Sequence, residues 1–403
     1  TEAVTANGIK TLPDGWRWVR LAEVCEQDRE IVEPNSELAA TLQYLSLEHI
    51  ESNTGRVLRE SADLIDENEG KSTTFAFDTR HVLYGKLRPY LNKVALPEFA
   101  GRCTTEIIPL LPKDGVDREF LGWLLRRPET VAVAMRDKTG SRMPRADMDE
   151  LMKLEVPLPL LAEQQRIVAV LAEQMTAVER ARAATEAQVE AANALPATYL
   201  RRAFDSQEAK RWPMTRLGEV IRQRQEVVHP YDKPNGRATF VGLEHVEPAT
   251  GRRIGSLDLE MSELTGRKPR FYEGDIVYGY LRPYLNKLWI AEFTGLCSVD
   301  QYVYTIDSKM ADTFFIASFM RSPVYLERAP VGITPGYLPR IRTEEVAGVE
   351  LHLPPLPEQR RIAEHLSAQM TTAERLRRTL SEQLDAINAL PAALLRRAFS
   401  GGL

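Results

Sequence analysis

Cysteine, histidine and excess positive charge are all scarce in this chain of 403 residues. Three cysteines (Cys25, Cys103, Cys297) and six histidines supply neither a disulfide framework nor the CxxC spacing of a structural zinc site. Cys103 and Cys297 fall at equivalent places in an internal repeat, which suits buried core residues. No apolar run approaches the ~20 residues that a bilayer crossing needs, and no signal segment is visible, so a cytoplasmic protein is expected. Lysine and arginine total 52 against 57 aspartates and glutamates. No segment is broadly basic: residues 15–156 carry 20 basic and 25 acidic side chains, and residues 211–356 carry 18 of each. A DNA footprint on such a chain must consist of local clusters, with weak and steeply salt-dependent non-specific affinity.

Catalytic signatures are missing as well. There is no glycine-rich phosphate loop and no Ser/His/Asp or Cys/His arrangement. Pro354-Pro355 follows Leu353, whereas an amino-methyltransferase places Asp or Asn before its paired prolines. Acid-x-Lys triplets of nuclease type (Glu69-Gly70-Lys71, Asp307-Ser308-Lys309) stand at unmatched positions. His49 and His245 each adjoin a glutamate, but neither half supplies further ligands at metal spacing. No catalytic residue and no metal ligand is therefore assigned.

What the chain does have is a duplication. Asn193–Phe204 (NALPATYLRRAF) and Asn388–Phe399 (NALPAALLRRAF) differ at two positions. At the same offset of 195, Glu163-Gln164 matches Glu358-Gln359 and Arg166-Ile167 matches Arg361-Ile362. Further back, Trp16 to Val24 matches Trp212 to Val220, and Tyr44 to Ile50 matches Phe240 to Val246. The last pair reads as strand and hairpin, running into Thr-Gly-Arg turns at 54–56 and 250–252. A repeat this long is a domain plus a long helix, copied once, not a solenoid. The fold class expected is α+β: two similar α/β domains in tandem, each followed by a long helix. The boundaries expected are an N-terminal arm at 1–14, a first domain at 15–156, a central helical region at 157–210, a second domain at 211–353 and a C-terminal helical region at 354–403.

The closest internal match is Tyr84–Lys93 (YGKLRPYLNK) against Tyr278–Lys287 (YGYLRPYLNK). Strand residues enter a glycine, and a proline-fixed turn then presents Arg88, Tyr90, Asn92 and Lys93, or Arg282, Tyr284, Asn286 and Lys287. Arginine, lysine, asparagine and tyrosine are the side chains suited to phosphates and base edges; a structural turn is the competing reading. A Gly/Pro loop of different content follows in each half. It carries Arg142 and Arg145 in the first half, and Tyr337 and Arg340 in the second. A cationic loop that varies on a common frame is where discrimination belongs.

Proline-rich stretches lead into helices expected to start near Glu163 and Glu358. Steps of four and three place Ile167, Leu171, Gln174, Val178, Ala181, Thr185, Gln188, Ala192, Leu195 and Tyr199 on one seam. The second copy offers Ile362, Leu366, Gln369, Ala373, Leu376, Leu380, Gln383, Ile387, Leu390 and Leu394. That spacing predicts a coiled coil. About forty residues make a rod of ~60 Å, and the short connection after Phe204 favours antiparallel packing with pseudo-two-fold symmetry. Pro196 and Pro391 should kink or interrupt it.

The Leu-Pro-Asp-Gly-Trp opening at 12–16, the two domains and the Glu-Gln-x-Arg-Ile helix starts together resemble the specificity (S) subunit of type I restriction-modification systems, over nearly the whole chain. The resemblance implies a non-catalytic DNA-recognition subunit. Each target-recognition domain would read one half of a bipartite, asymmetric site on double-stranded DNA. The coiled coil would set the spacer and dock two adenine-N6 methyltransferase (M) subunits, with restriction (R) subunits in the full complex. S-adenosylmethionine, ATP and Mg²⁺ would belong to those partners and not to this chain. Two other readings stay open: the recognition subunit of a fused restriction/methyltransferase system, and a coiled-coil scaffold that binds no DNA.

Overall fold

The structure, a computed structural model, describes residues 12–58, 72–136, 142–330 and 338–403. It divides into two compact units, Thr1–Thr185 with Gln383–Leu403, and Glu186–Glu382.

In the first unit one sheet runs in the order Cys25–Gln27, Ile107–Pro112, Val82–Gly85, Val94–Ala95, all antiparallel. A second runs Ile31–Val32, Thr74–Phe77, Gly101–Thr104, Gln43–Leu45, with the last pair parallel. Alternating side chains decide which face of a strand each residue joins. Leu83 and Ile107 meet Leu45, Phe77 and Cys103 in a core between the sheets. Val82, Tyr84, Ile108 and Leu110 instead join Phe120, Leu121 and Leu124 of the helix Arg118–Leu125. That helix starts at Asp117, whose carboxylate accepts from the Phe120 N–H at 2.9 Å, one of the donors that a helix start leaves unpaired. A ribbon of Arg17–Arg20 with Glu155–Leu158 brings the two ends of the unit's globular part together.

Among the described residues the second unit repeats this order strand for strand, and Leu257–Glu260 forms a further edge strand there. Its equivalent ribbon joins Met214–Arg216 to Glu350–His352. Cys25, Cys103 and Cys297 are buried, and burial pushes their thiols up to about 12, so they remain protonated core residues. His49 is buried too, and its Nδ1 accepts from the Ser46 N–H at 3.1 Å; His245 repeats this toward Gly242 at 3.0 Å. Those contacts shorten the expected strand at 44–50. It ends at Leu45 and becomes a 3-10 turn, Leu47–His49.

The long helices are unbroken at Leu161–Asp205 and Leu356–Ala398, with Pro196 and Pro391 inside them. Each therefore continues past its proline, and the LRRAF tail extends the same helix. In the first unit Ile167 and Leu171 share a core with Leu395, Ala398 and Phe399, so the start of one helix packs on the end of the other. Phe399 lies 5.1 Å from the Phe120 ring. The second unit gives the mirror case: Leu200 and Phe204 join Ala363, Leu366, Phe315 and Phe319. Both contacts are antiparallel.

Burial corrects the seam. Leu171, Val178, Thr185 and Ala192 are buried at steps of seven, as are Leu366, Ala373, Leu380 and Ile387. The alternate positions lie one residue beyond those expected: Met175, Arg182, Val189 and Pro196 are half-buried, and Met370, Arg377, Leu384 and Pro391 match them. Leu376 and Leu390 are instead exposed (44% and 42%), as are Gln188 and Gln383, while Leu195, Ile362 and Leu394 are half-buried at the flank. The physical reason is that arginine takes the inner position at 182 and 377. Its aliphatic stem lies along the seam while its head reaches carboxylates.

In the second unit that head ties the helix to the Thr-Gly-Arg turn. Arg377 pairs with Glu374 at 2.8 Å, Glu374 with Arg252 at 2.9 Å, and Arg252 with Glu247 at 2.6 Å. The hydrogen bond from Arg377, with Arg252 beside it, holds the Glu374 carboxyl down from 4.5 to about 2. A depressed carboxylate stabilises above its ordinary value and loses that contribution as pH falls toward the folded one. The tie is therefore complete at neutral pH and is lost between about pH 4.5 and 2. Its members are two-fifths exposed, so each pair contributes about 1 kcal/mol or less. Hydrogen exchange of the amides at 249–253 should accelerate between pH 5 and 3 after correction for intrinsic rates, and Glu374→Gln should produce the same acceleration at pH 7. A pH-independent corrected rate would refute the tie.

Candidate nucleic-acid interface

In both units the LRPYLNK segment folds into a tight turn. Arg88 and Asn92 take left-handed conformations (φ 52° and 50°) on either side of a 3-10 turn at Pro89–Leu91, and Arg282 and Asn286 do the same (φ 49° and 46°) around Pro283–Leu285. Left-handed backbone is unusual for arginine, and here it is held by partners. The Arg88 N–H donates to the Pro144 carbonyl at 2.7 Å, and the Arg282 N–H to Pro339 at 2.7 Å. Leu87 bridges Arg145 and Leu281 bridges Arg340. The Asn53 N–H donates to Leu91 O, and the Ala249 N–H to Leu285 O, both at 3.2 Å. Three segments thus meet at one place in each unit: the LRPY turn, the end of the Gly/Pro loop and the residues leading into the Thr-Gly-Arg turn.

The turn separates its own side chains by role. Arg88, Tyr90, Arg282 and Tyr284 are exposed, the tyrosines at 49% and 59%. Asn92 instead donates to the Arg126 carbonyl at 3.0 Å, and Asn286 is buried. Lys93 Nζ donates to Leu47 O and Lys287 Nζ to Leu243 O, both at 2.6 Å, and burial lowers the Lys93 pKa. Asn92, Lys93 and Lys287 thus tie the turn to its own unit through side-chain hydrogen bonds. Arg142 and Arg340 are exposed, and Arg145 forms an exposed ion pair with Glu106 at 2.9 Å. Tyr337 lies outside the described residues. Backbone pairing therefore brings exposed Arg145 beside the turn that carries exposed Arg88 and Tyr90 in the first unit, and exposed Arg340 beside Arg282 and Tyr284 in the second; no such pairing places Arg142.

Sequence reasoning passed over Lys86 and Tyr280. Each begins the turn, and its backbone is gripped on both sides: Lys86 N–H donates to Glu106 O at 2.9 Å while its carbonyl accepts from the Ala146 N–H at 2.8 Å. Tyr280 makes the same pair with Asp300 and Ile341, at 3.1 and 3.2 Å. The signal was there, since this is the one position that differs between the two ten-residue copies.

A surface of arginines and tyrosines set on a rigid turn, with no group of metal-binding side chains among the described residues, is suited to binding and positioning a polyanion. Comparison with known proteins agrees. Residues 13–190 match the family model described as "Type I restriction modification DNA specificity domain". The EcoDI type I restriction enzyme specificity subunit of Escherichia coli is 26% identical, the match covering 88% of this chain and 87% of that one. Among solved structures, one described as "Structural basis underlying complex assembly and conformational transition of the type I R-M system" has a TM-score of 0.80 at 24% identity over 98% of this chain and 100% of the other. The HsdS subunit from Thermoanaerobacter tengcongensis has a TM-score of 0.64 at 23% identity over 98% and 99%. The chain thus carries a match to the type I DNA specificity domain over residues 13–190 and is similar over most of its length to specificity subunits of type I restriction-modification systems. No helix among the described residues is long and apolar enough to cross a membrane.

Proposed function

We propose that the chain reads a bipartite DNA site in the cytoplasm, one half-site per unit, and that its paired long helices set the unread spacer and dock two adenine-N6 methyltransferase subunits. The observation that carries this reading is the repetition of the exposed surface. Arg88, Tyr90 and Arg145 recur as Arg282, Tyr284 and Arg340 on the same backbone turn. A reader duplicated on one chain suits a site made of two parts, as half-site spacing mirrors protein geometry. Domains of about 140 residues, at 15–156 and 211–353, would be the readers. The exposed arginines would mainly hold phosphates, with Asn92, Asn286, Lys93 and Lys287 supporting the turn from behind.

The acidic balance of the chain fits a complex in which partner subunits supply much of the phosphate contact. S-adenosylmethionine, and the ATP and Mg²⁺ of any restriction subunits, would then be held by those partners. The test is to lengthen both helices. Seven residues inserted near Thr185 and Leu380 preserve the seven-residue burial pattern and add ~10 Å to each helix, or about three base pairs at the ~3.4 Å rise of DNA. Single-molecule methylome sequencing of cells carrying the altered chain with its methyltransferase subunits should show the same two half-sites with a longer gap. An unchanged gap would overturn the ruler.

A further inference from the structure

Resting on that reading, we propose that residue 86 in the first unit and residue 280 in the second discriminate keto from amino groups at one base pair of each half-site, Lys86 selecting a keto oxygen and Tyr280 an amino group.

Frame and variable side chain are cleanly separated here. The backbone of the residue is fixed by the same two hydrogen bonds in both units, to 106 and 146 or to 300 and 341. Much of its frame is held in common: the left-handed arginine two residues on, the exposed tyrosine, the loop-end arginine, and a carboxylate at 106 or 300. Groups shared by two readers position them equally on any sequence; a side chain that differs on an identical frame is what can make the half-sites differ.

The chemistry differs in sign. A lysine ammonium offers three donors and no acceptor, so Lys86 suits guanine O6 and N7 or thymine O4 in the major groove. Tyr280 is half-buried and stacked on Tyr302, with ring centroids 4.5 Å apart and planes 23° from parallel. Its hydroxyl lies 3.5 Å from Asp300 Oδ1 and donates toward it. Burial, with Asp300 nearby, raises its pKa, so that proton stays on the phenol at neutral pH. With the proton directed at Asp300, the phenol oxygen faces a ligand as an acceptor, the complement of adenine N6 or cytosine N4 amino hydrogens. Tyr302 is itself held by its hydroxyl at 3.4 Å from Ile341 O, so the stack fixes where the oxygen sits. In the first unit Ile108 stands where Tyr302 does, and no such stack forms.

The experiment uses the full chain assembled with its methyltransferase subunits, read by methylome sequencing and by methylation rates on oligonucleotides varied one base pair at a time. Lys86→Tyr, which replaces an obligate donor by a hydroxyl that both donates and accepts, should weaken the keto preference at one base pair of the first half-site by about ten-fold or more, and leave the second half-site and the spacer untouched. Tyr280→Phe keeps the stack, removes the acceptor and should relax one base pair of the second half-site alone. Lys86→Gln, which keeps the stem and offers both a donor and an acceptor, should relax the first, and it guards against misfolding of the tyrosine variant. Three variants with unaltered preferences, or equal loss of rate on every sequence, would overturn the assignment. A wild-type complex that methylates no bipartite site would instead overturn the proposed function itself.

Discussion

Gly55→Ala should destabilise the first unit by about 4 kcal/mol, well beyond the ~1 kcal/mol typical of single substitutions. Gly55 has φ +69°, where a side chain is strained, and a Cβ there would overlap the Val94 carbonyl oxygen and the tip of the Arg126 guanidinium. These are the two ends of one interaction. Arg126 Nη2 and Nε donate to Val94 O at 2.6 and 3.1 Å, inside a site where burial alone lowers the arginine pKa to about 10. Moving the carbonyl strips a buried cation of its acceptor, which costs several kcal/mol; left-handed backbone on alanine adds about 1 kcal/mol. Gly251 provides the internal control. It has φ +75°, but the three atoms nearest its Cβ would all belong to the Arg321 side chain, whose Nη1 donates to Thr250 O at 2.7 Å. A side chain can yield where a strand carbonyl cannot, so Gly251→Ala should cost about half as much in the second unit. Hydrogen exchange over Val82–Gly85 and Val94–Ala95, set beside Ile276–Gly279 and Leu288–Ile290, separates the two units; equal loss of protection in both variants would refute the argument.

That contrast shows which parts of the molecule were legible in the sequence. The Thr-Gly-Arg turns are plain in it, but the buried arginine behind each, 71 residues beyond Gly55 and 70 beyond Gly251, is not, because nothing local marks Arg126 or Arg321 as interior. The duplicated domain and the two helices could be read because repetition and apolar spacing are properties of order along the chain. The seam went wrong by one residue at alternate steps for a related reason. Leu376 looks like a better core residue than Arg377, and only the neighbouring carboxylates Glu374 and Glu247 make the arginine the inward one. The LRPYLNK turn was legible as an exposed cationic turn, but not its division into exposed Arg88 and Tyr90 and inward Asn92 and Lys93, which depends on Leu47 and Arg126 carbonyls contributed from elsewhere. At Lys86 and Tyr280 the difference between copies was visible, but the backbone grip that gives it meaning was not.

Gln164 was legible only as half of a repeated Glu-Gln pair, yet its replacement by alanine should rank next in effect. Its side chain is fully buried at the start of the central helix and makes three hydrogen bonds: Oε1 accepts from the Asp117 N–H at 2.8 Å, and Nε2 donates to Gly115 O and Pro159 O, both at 3.0 Å. Asp117 caps the helix Arg118–Leu125, so one amide ties the long helix, the strand leading into it and the globular part together. Gln359 repeats the device with Asp312 N–H at 2.9 Å, Met310 O at 3.0 Å and Pro354 O at 2.8 Å. Alanine leaves a donor and two acceptors without these partners, the Pro159 carbonyl buried and the other two groups partly so. At about 1–3 kcal/mol for each such group, with water entering the vacated space as partial compensation, the expected loss is about 3 kcal/mol. Glutamate should do no better, because it retains the acceptor for Asp117 but turns two donations into repulsions and buries a charge. Urea unfolding followed at the strands of the affected unit should show the loss for Gln164→Ala in the first unit and for Gln359→Ala in the second. Each should leave the other unit's midpoint unchanged, since sites that share no partner are additive. A loss below about 1 kcal/mol would mean that the amide is replaceable by water, and that the long helix is held to its globular domain by apolar packing alone.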